Sequence, residues 1–186
     1  SMLSCTLNPM KMTSNGFDID CDRLTVKWYA RTESTNKLAR ESTDCRETLW
    51  IADYQTNGRG QRGNHWHSAE GENLMFTLSV FPNTLLAEKQ FQISEITAMA
   101  VCDALALLGI KVQIKWPNDI YVGDKKICGI LIEHDLSGRY LSRSIIGVGI
   151  NVNQCVFDPS LPNPTSVKLV CGSKQNIDRN ILLQYF

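Results

Sequence analysis

A chain of 186 residues, 43% hydrophobic and 20% charged, is long enough to bury a core in one domain and too ordinary in composition for a collagen-like or disordered polymer. Nineteen Lys and Arg balance nineteen Asp and Glu, so the formal net charge is zero and the basic excess of a general duplex-DNA binder is missing. No apolar run approaches the ~20 residues that span a bilayer, and the N-terminal stretch lacks the continuous apolar core of a signal peptide.

Residues 1–22 read as a lead-in ahead of the domain, which occupies 23–186. From Leu24 the pattern alternates, with Leu24, Val26, Trp28 and Ala30 on the side expected to be buried. Glu33-Ser34-Thr35-Asn36 offers cap residues for a short helix, Lys37 to Glu41. A second strand is predicted from about Thr48 to Gln55, then a long loop from Thr56 to Asn73 carrying four glycines. Loops of that length inside a domain are usually functional or disordered. Leu74–Phe81 reads as strand and 88–108 as the one long helix, its stripe Ile96, Ala100, Ala104 and Leu108 widened by Phe91, Met99 and Leu105. Gly109 stands where a helix end takes a glycine. Strands are expected at 111–116, 119–122, 126–134 and 140–152, the last three as an antiparallel meander joined by short turns. The tail from Asn163 begins as a loop and ends in a helix-like run, Arg179 to Phe186. The class is α+β, a mixed or antiparallel sheet covered by helices.

Seven cysteines, at positions 5, 21, 45, 102, 128, 155 and 171, are odd in number and form no CxxC pair. They read as reduced thiols of a cytoplasmic protein. His65 and His67 flank Trp66 without a third ligand nearby, so no metal site is assigned.

Three stretches are chemically unusual. In 140–152, Ile146, Val148, Ile150 and Val152 form a core face, while Gly147, Gly149 and Asn151, followed by Asn153, form the other. A sheet face stripped of side chains costs packing unless something lies flat on it, either another segment of the protein or a flat ligand. Ile127, Gly129, Leu131 and Glu133 share a face of the neighbouring strand, which would add a second glycine to that floor. The loop Gly58-Arg59-Gly60-Gln61-Arg62-Gly63-Asn64-His65-Trp66 has glycines that let backbone approach a ligand, two arginines suited to carboxylate or phosphate, and no acid between Tyr54 and Glu70. It is neither a Walker loop nor a dinucleotide fingerprint. Lys115 stands just before the turn Trp116-Pro117-Asn118-Asp119, which would hold it as a fixed point charge; a solvent-facing lysine is the plainer reading.

In this order, Ser34-Thr35-Asn36, Asp53-Tyr54-Gln55, GRGQRGNHW (58–66), KWPNDIYV (115–122), CGILIE (128–133) and GVGINVN (147–153) resemble the catalytic domain of the biotin–protein ligases, over roughly 24–170. The resemblance implies the biotin–lipoate ligase type of fold. It implies a reaction in which ATP and biotin, with Mg2+, give biotinyl-5′-adenylate, after which a lysine of a biotin carboxyl carrier protein domain takes the biotin. By resemblance, Lys115, Arg59 and Arg62 are the catalytic cations. Biotin would be held by Ser34, Thr35, Asn36, Gln55, Gly58, Arg59, Gly60, Gln61 and Lys115 over a floor of Gly129, Leu131 and Gly147. The nucleotide would meet Arg59, Arg62, Asn64, Trp66, Lys115, Asn118 and Asn151. Many relatives carry arginine where Gln61 and Asn64 stand, a departure that leaves open how tightly pyrophosphate and the adenylate are held. The winged-helix DNA-binding arm of some relatives is expected to be absent, and with it DNA as a partner; their small C-terminal β-barrel is expected to be absent or truncated; no membrane partner is expected, and a homodimer is admitted. A lipoate–protein ligase and a catalytically idle binding module on the same fold are the alternatives.

Overall fold

The structure, a computed structural model, describes residues 23–186. Cys5, Cys21 and the predicted lead-in lie outside the described residues. The elements are β1 (Thr25–Tyr29), α1 (Thr35–Glu41), β2 (Thr48–Ala52), β3 (Leu74–Val80), α2 (Phe91–Leu107), β4 (Gln113–Lys115), β5 (Asp119–Val122), β6 (Lys125–Ser137), β7 (Tyr140–Ile150), α3 (Val167–Cys171) and α4 (Arg179–Tyr185). All seven strands join one sheet in the order β1-β2-β3-β7-β6-β5-β4. Only β1 and β2 run parallel; every other pairing is antiparallel. The mixed sheet and the β5-β6-β7 meander are those expected from the sequence.

The strands separate two environments by their period of two. Leu49, Ile51, Phe76, Leu78, Ile130, Ile146, Val148 and Ile150 join Ile93, Val101, Ala104 and Leu105 of α2 and Leu182 of α4 in the main core. The opposite face turns Trp50 and Ile145 to Ala39 of α1 in a smaller cluster. The remainder of that face holds the cleft described below. Ser34 starts α1 as its N-cap, its Oγ accepting from the Lys37 N–H at 3.3 Å. The C-terminal region is tied back by Arg179, whose guanidinium donates to Asp53 and to the Asn73 carbonyl, and by Asn153, whose amide exchanges hydrogen bonds with the Ile177 backbone.

Four details differ from the sequence reading. Val26 and Trp28 are 49% and 45% exposed, because they extend the core face of β2 onto an edge strand that the helices do not reach. Lys27 and Tyr29 face inward instead, against the Trp50 ring. On α2 the buried side is Ile93, Thr97, Ala98, Ala100, Val101, Ala104 and Leu105, with Phe91 and Met99 about half exposed. Apolar residues surround this helix, so periodicity fixes its inner face poorly. Ile127 does not share a face with Gly129. Ile120 pairs with Cys128 and Tyr121 with Lys126, so Ile127 is the extra residue of a bulge and falls with Cys128 into the core. Finally, α3 occupies part of the tail read as loop, and β7 stops at Ile150.

Candidate active site

The cleft begins at α1. Thr35 N–H donates to Gln55 Oε1 at 2.8 Å and the Thr35 hydroxyl lies 3.1 Å from the same oxygen. Thr77 Oγ1, buried on β3, is 2.7 Å from Thr35 Oγ1 and 2.6 Å from Asn36 Oδ1. Asn36 Nδ2 donates to the Leu131 carbonyl at 3.4 Å, and Gln55 Nε2 faces Met75 Sδ at 3.5 Å. Ser34, Thr35, Asn36 and Thr77 are all buried. This wall is neutral and internally bonded, so its geometry is set before any ligand arrives.

The floor is the glycine face. A Cβ on Gly147 would run into the Asn36 amide, and one on Gly149 would stand 2.6 Å from the Trp66 ring. Gly129 is equally tight, with Trp66 Cζ3 at 2.8 Å from its would-be Cβ. The bare strands therefore admit two flat groups of the protein itself, the Asn36 amide and the Trp66 indole. Trp66 Nε1 is buried there without a hydrogen-bond partner. With the indole in place the cleft measures about 170 Å³, below the ~300–1,000 Å³ usual for small-molecule sites.

The glycine-rich loop forms the far wall. It folds on itself through Trp66 N–H to Gly58 O, Gly60 N–H to Asn64 O and Asn64 N–H to Gln61 O. Gln61–Gly63 make a 3-10 turn with Arg62 at φ +54°, a left-handed conformation uncommon outside glycine. The loop is fastened to β6 by Gln61 Nε2 donating to Ile130 O at 3.1 Å and by Arg59 Nη1, 3.2 Å from Glu133 Oε1. At the open end, Lys126 Nζ lies 2.9 Å from Asp119 Oδ1 and over the Trp66 ring at 5.7 Å. Cys128 borders this region but faces the core, where burial pushes its thiol far above the ordinary range and leaves it unreactive. Among the described residues no group of three His, Cys, Asp or Glu is gathered that could hold a metal ion.

Ser34, Thr35, Asn36, Gln55, Arg59, Gly60, Gln61, Asn64, Trp66, Gly129, Leu131 and Gly147 all line this cleft. Gly58 is buried just behind it, where a Cβ would meet Trp66 O at 2.5 Å. Arg62 and Lys115 are exposed and do not line the cleft, and Lys115 Nζ sits 5.2 Å from the Tyr121 ring centre. Lys115 nonetheless pairs across the strands with Asp119, so it stands on the cleft's side of the sheet edge. Asn118 serves the sheet through its carbonyl, which accepts from Ile130 N–H. Asn151, beyond the end of β7, is buried with its Oδ1 unpartnered.

Sequence reasoning missed Thr77, Asp119 and Lys126. Thr77 was detectable as a polar residue inside Leu74-Met75-Phe76-Thr77-Leu78, opposite Gly147 in register. Lys126 was not, because the bulge at Ile127 turns it toward Trp66, out of step with strict alternation.

Residues 28–151, most of the sheet and the whole cleft, match the model of the biotin/lipoate A/B protein ligase family. The chain belongs to this family. It is 38% identical over 157 residues to the bifunctional ligase/repressor BirA of Bacillus spizizenii, covering 82% of this chain and 48% of the relative. It is 34% identical over 150 residues to the biotin--[acetyl-CoA-carboxylase] ligase of Paracoccus denitrificans, covering 75% and 61%. Among solved structures, the Aquifex aeolicus biotin protein ligase in complex with biotin and ATP superposes with TM-score 0.74 at 32% identity, over 87% of this chain and 66% of that one. The chain thus spans about half the length of the BirA relative. As a member of the family, it carries the cleft on the sheet face that α1 leaves open.

Proposed function

We propose that this chain is the catalytic domain of an ATP-dependent biotin–protein ligase. The observation that carries the reading is one cleft that joins a neutral, preset hydrogen-bonding wall to a cationic, glycine-rich one. The first suits an uncharged polar ring head such as the ureido group of biotin: Ser34, Thr35, Asn36 and Gln55 surround it with short polar side chains. The second suits two anions that repel each other. Biotin's carboxylate oxygen attacks the α-phosphorus of ATP, the bond to the β-phosphate oxygen breaks, and pyrophosphate leaves. Arg59 and Lys126, both lining the cleft, offset the charge that accumulates on the phosphoryl oxygens. Lys115 and Arg62 are the cations at the rim that join them once the nucleotide is bound. Mg2+ enters with the triphosphate as part of the substrate.

Trp66 and Asn151 serve the nucleotide in this reading. Each has an unsatisfied buried polar atom, a donor in the indole that lies over Gly149 and an acceptor in the amide two residues further along the chain. A base provides both a flat face and hydrogen-bonding edges. In the second half-reaction a lysine amine of a carrier domain attacks the adenylate carbonyl, and AMP leaves. The relatives named as biotin ligases support biotin over lipoate as the acid. The five free cysteines among the described residues fit the reducing cytoplasm as the place of action.

The test is isotope exchange between pyrophosphate and ATP, run with single acids. Exchange with biotin and none with lipoate or octanoate is the expected outcome. Exchange driven by lipoate transfers the reading to the other branch of the family, and none with any acid leaves a binding module.

A further inference from the structure

Arg59 is half exposed and sits on a loop, yet one of its guanidinium nitrogens is engaged by a carboxylate from the sheet. That carboxylate, Glu133, has divided duties. Its Oε2 accepts from Arg40 Nη2 at 3.0 Å. Its Oε1 is shut off from water, makes no aligned hydrogen bond, and faces Arg59 Nη1 at 3.2 Å. Arg40 is not free to swing over, because its other terminal nitrogen donates to Asp135. Asp135 is held in turn by Arg143, which also donates to the carbonyls of Ala39 and Ser42 at the end of α1. Glu133 is therefore a fixed acceptor on a braced frame, and Arg59 is the movable partner. A role confined to that frame would need Oε2 alone.

We infer that Glu133 is a positioning residue: it orients the Arg59 guanidinium and, through it, latches the 58–66 loop to β6. One end of the guanidinium ion-paired to Glu133 leaves the remaining N–H groups, in a fixed plane, for an incoming carboxylate or phosphate. The inference rests on the adenylation reading for its kinetic consequence, but the latch exists in the ligand-free protein and is testable there.

Glu133→Gln is expected to raise the KM for biotin in pyrophosphate exchange about ten-fold, with a smaller change in kcat. In an Arg59→Ala background the same substitution should add less than two-fold. Asp135→Asn, which loosens Arg40 but keeps the Glu133 carboxylate facing Arg59, should move the KM in the same direction by less. Amide hydrogen exchange in 58–66 of the ligand-free protein should rise in Glu133→Gln, and by less in Asp135→Asn. If Glu133→Gln does not fold, Arg59→Gln reports the same release of the loop. Unchanged loop exchange, or an equal loss in the Arg59→Ala background, overturns the inference. A wild type that exchanges no pyrophosphate with biotin defeats the adenylation reading instead, and the ligand-free loop measurement then decides the latch alone.

Discussion

Across the glycine floor, the wall made by α1 and β3 and the wall made by the 58–66 loop differ in how their polar atoms are satisfied. Thr35, Asn36, Gln55 and Thr77 bond mainly to one another, three of them fully buried, without a formal charge. On the loop side Arg59 and Lys126 are ion-paired to Glu133 and Asp119, and Trp66 Nε1 is left unpartnered. The first wall is finished by folding, so its cost and its rigidity belong to the free protein. The second carries guanidinium and ammonium N–H groups beyond those its carboxylates engage, and these are open to a ligand anion. Stability should thus reside in one wall and rate in the other.

The sharpest way to break that division is at Arg59. Arg59→Ala should lower biotin-dependent adenylate formation by about 10²–10³-fold, the usual loss for one preorganised donor to a developing negative charge. Its melting temperature should stay close to wild type, because a half-exposed ion pair contributes ~1 kcal/mol or less. Thr77→Val reverses the pattern. It leaves the Asn36 oxygen and the Thr35 hydroxyl short of a partner in a dry site, for about 1–3 kcal/mol of stability measured by denaturant unfolding. Its effect on adenylation should be smaller than that of Arg59→Ala. Equal stability losses in the two variants would show that the walls are energetically alike.

The same division marks what the sequence makes legible. Alternating glycines in 147–153 disclose the floor, because a missing side chain is visible whatever surrounds it. The loop 58–66 discloses its cations because nothing acidic adjoins it in sequence. Its acidic partner, Glu133, comes from β6 and is joined to it only by folding. Lys126 hides behind a bulge, a feature no period-two pattern records. Val26 and Trp28 mislead for a related reason: alternation assigns them one face but cannot tell whether a helix reaches the sheet edge to cover it. The five-residue α3 had its signals in Ser166 at the N-cap and Gly172 at φ +61° past its end, but it is too short for periodicity to register.

The smallest expected effect lies beside the braced frame, on β6. Burial holds the His134 imidazole below its ordinary pKa, the nearby Asp135 opposing it, and its Nδ1 lies 2.8 Å from Ser144 Oγ. Asp135 is held low: burial pushes it up, but the pairs with Arg143 and Arg40 outweigh that. A histidine with a depressed pKa binds its proton more readily in the unfolded chain. Stability from this group is therefore complete above about pH 6.5 and declines as the pH falls through the lower, folded value. The aspartate acts in the same sense further down, from about pH 4 toward its own folded value. Melting temperature should accordingly fall by a few degrees between pH 7 and 5, and His134→Gln should flatten that slope without altering the steeper loss below pH 4. Because neither group lines the cleft, the decline should leave the relative adenylation rate of the folded fraction unchanged. A matching drop in rate across pH 7 to 5, absent in His134→Gln, would mean that the frame behind Glu133 transmits its charge state to Arg59 and that the two walls are coupled after all.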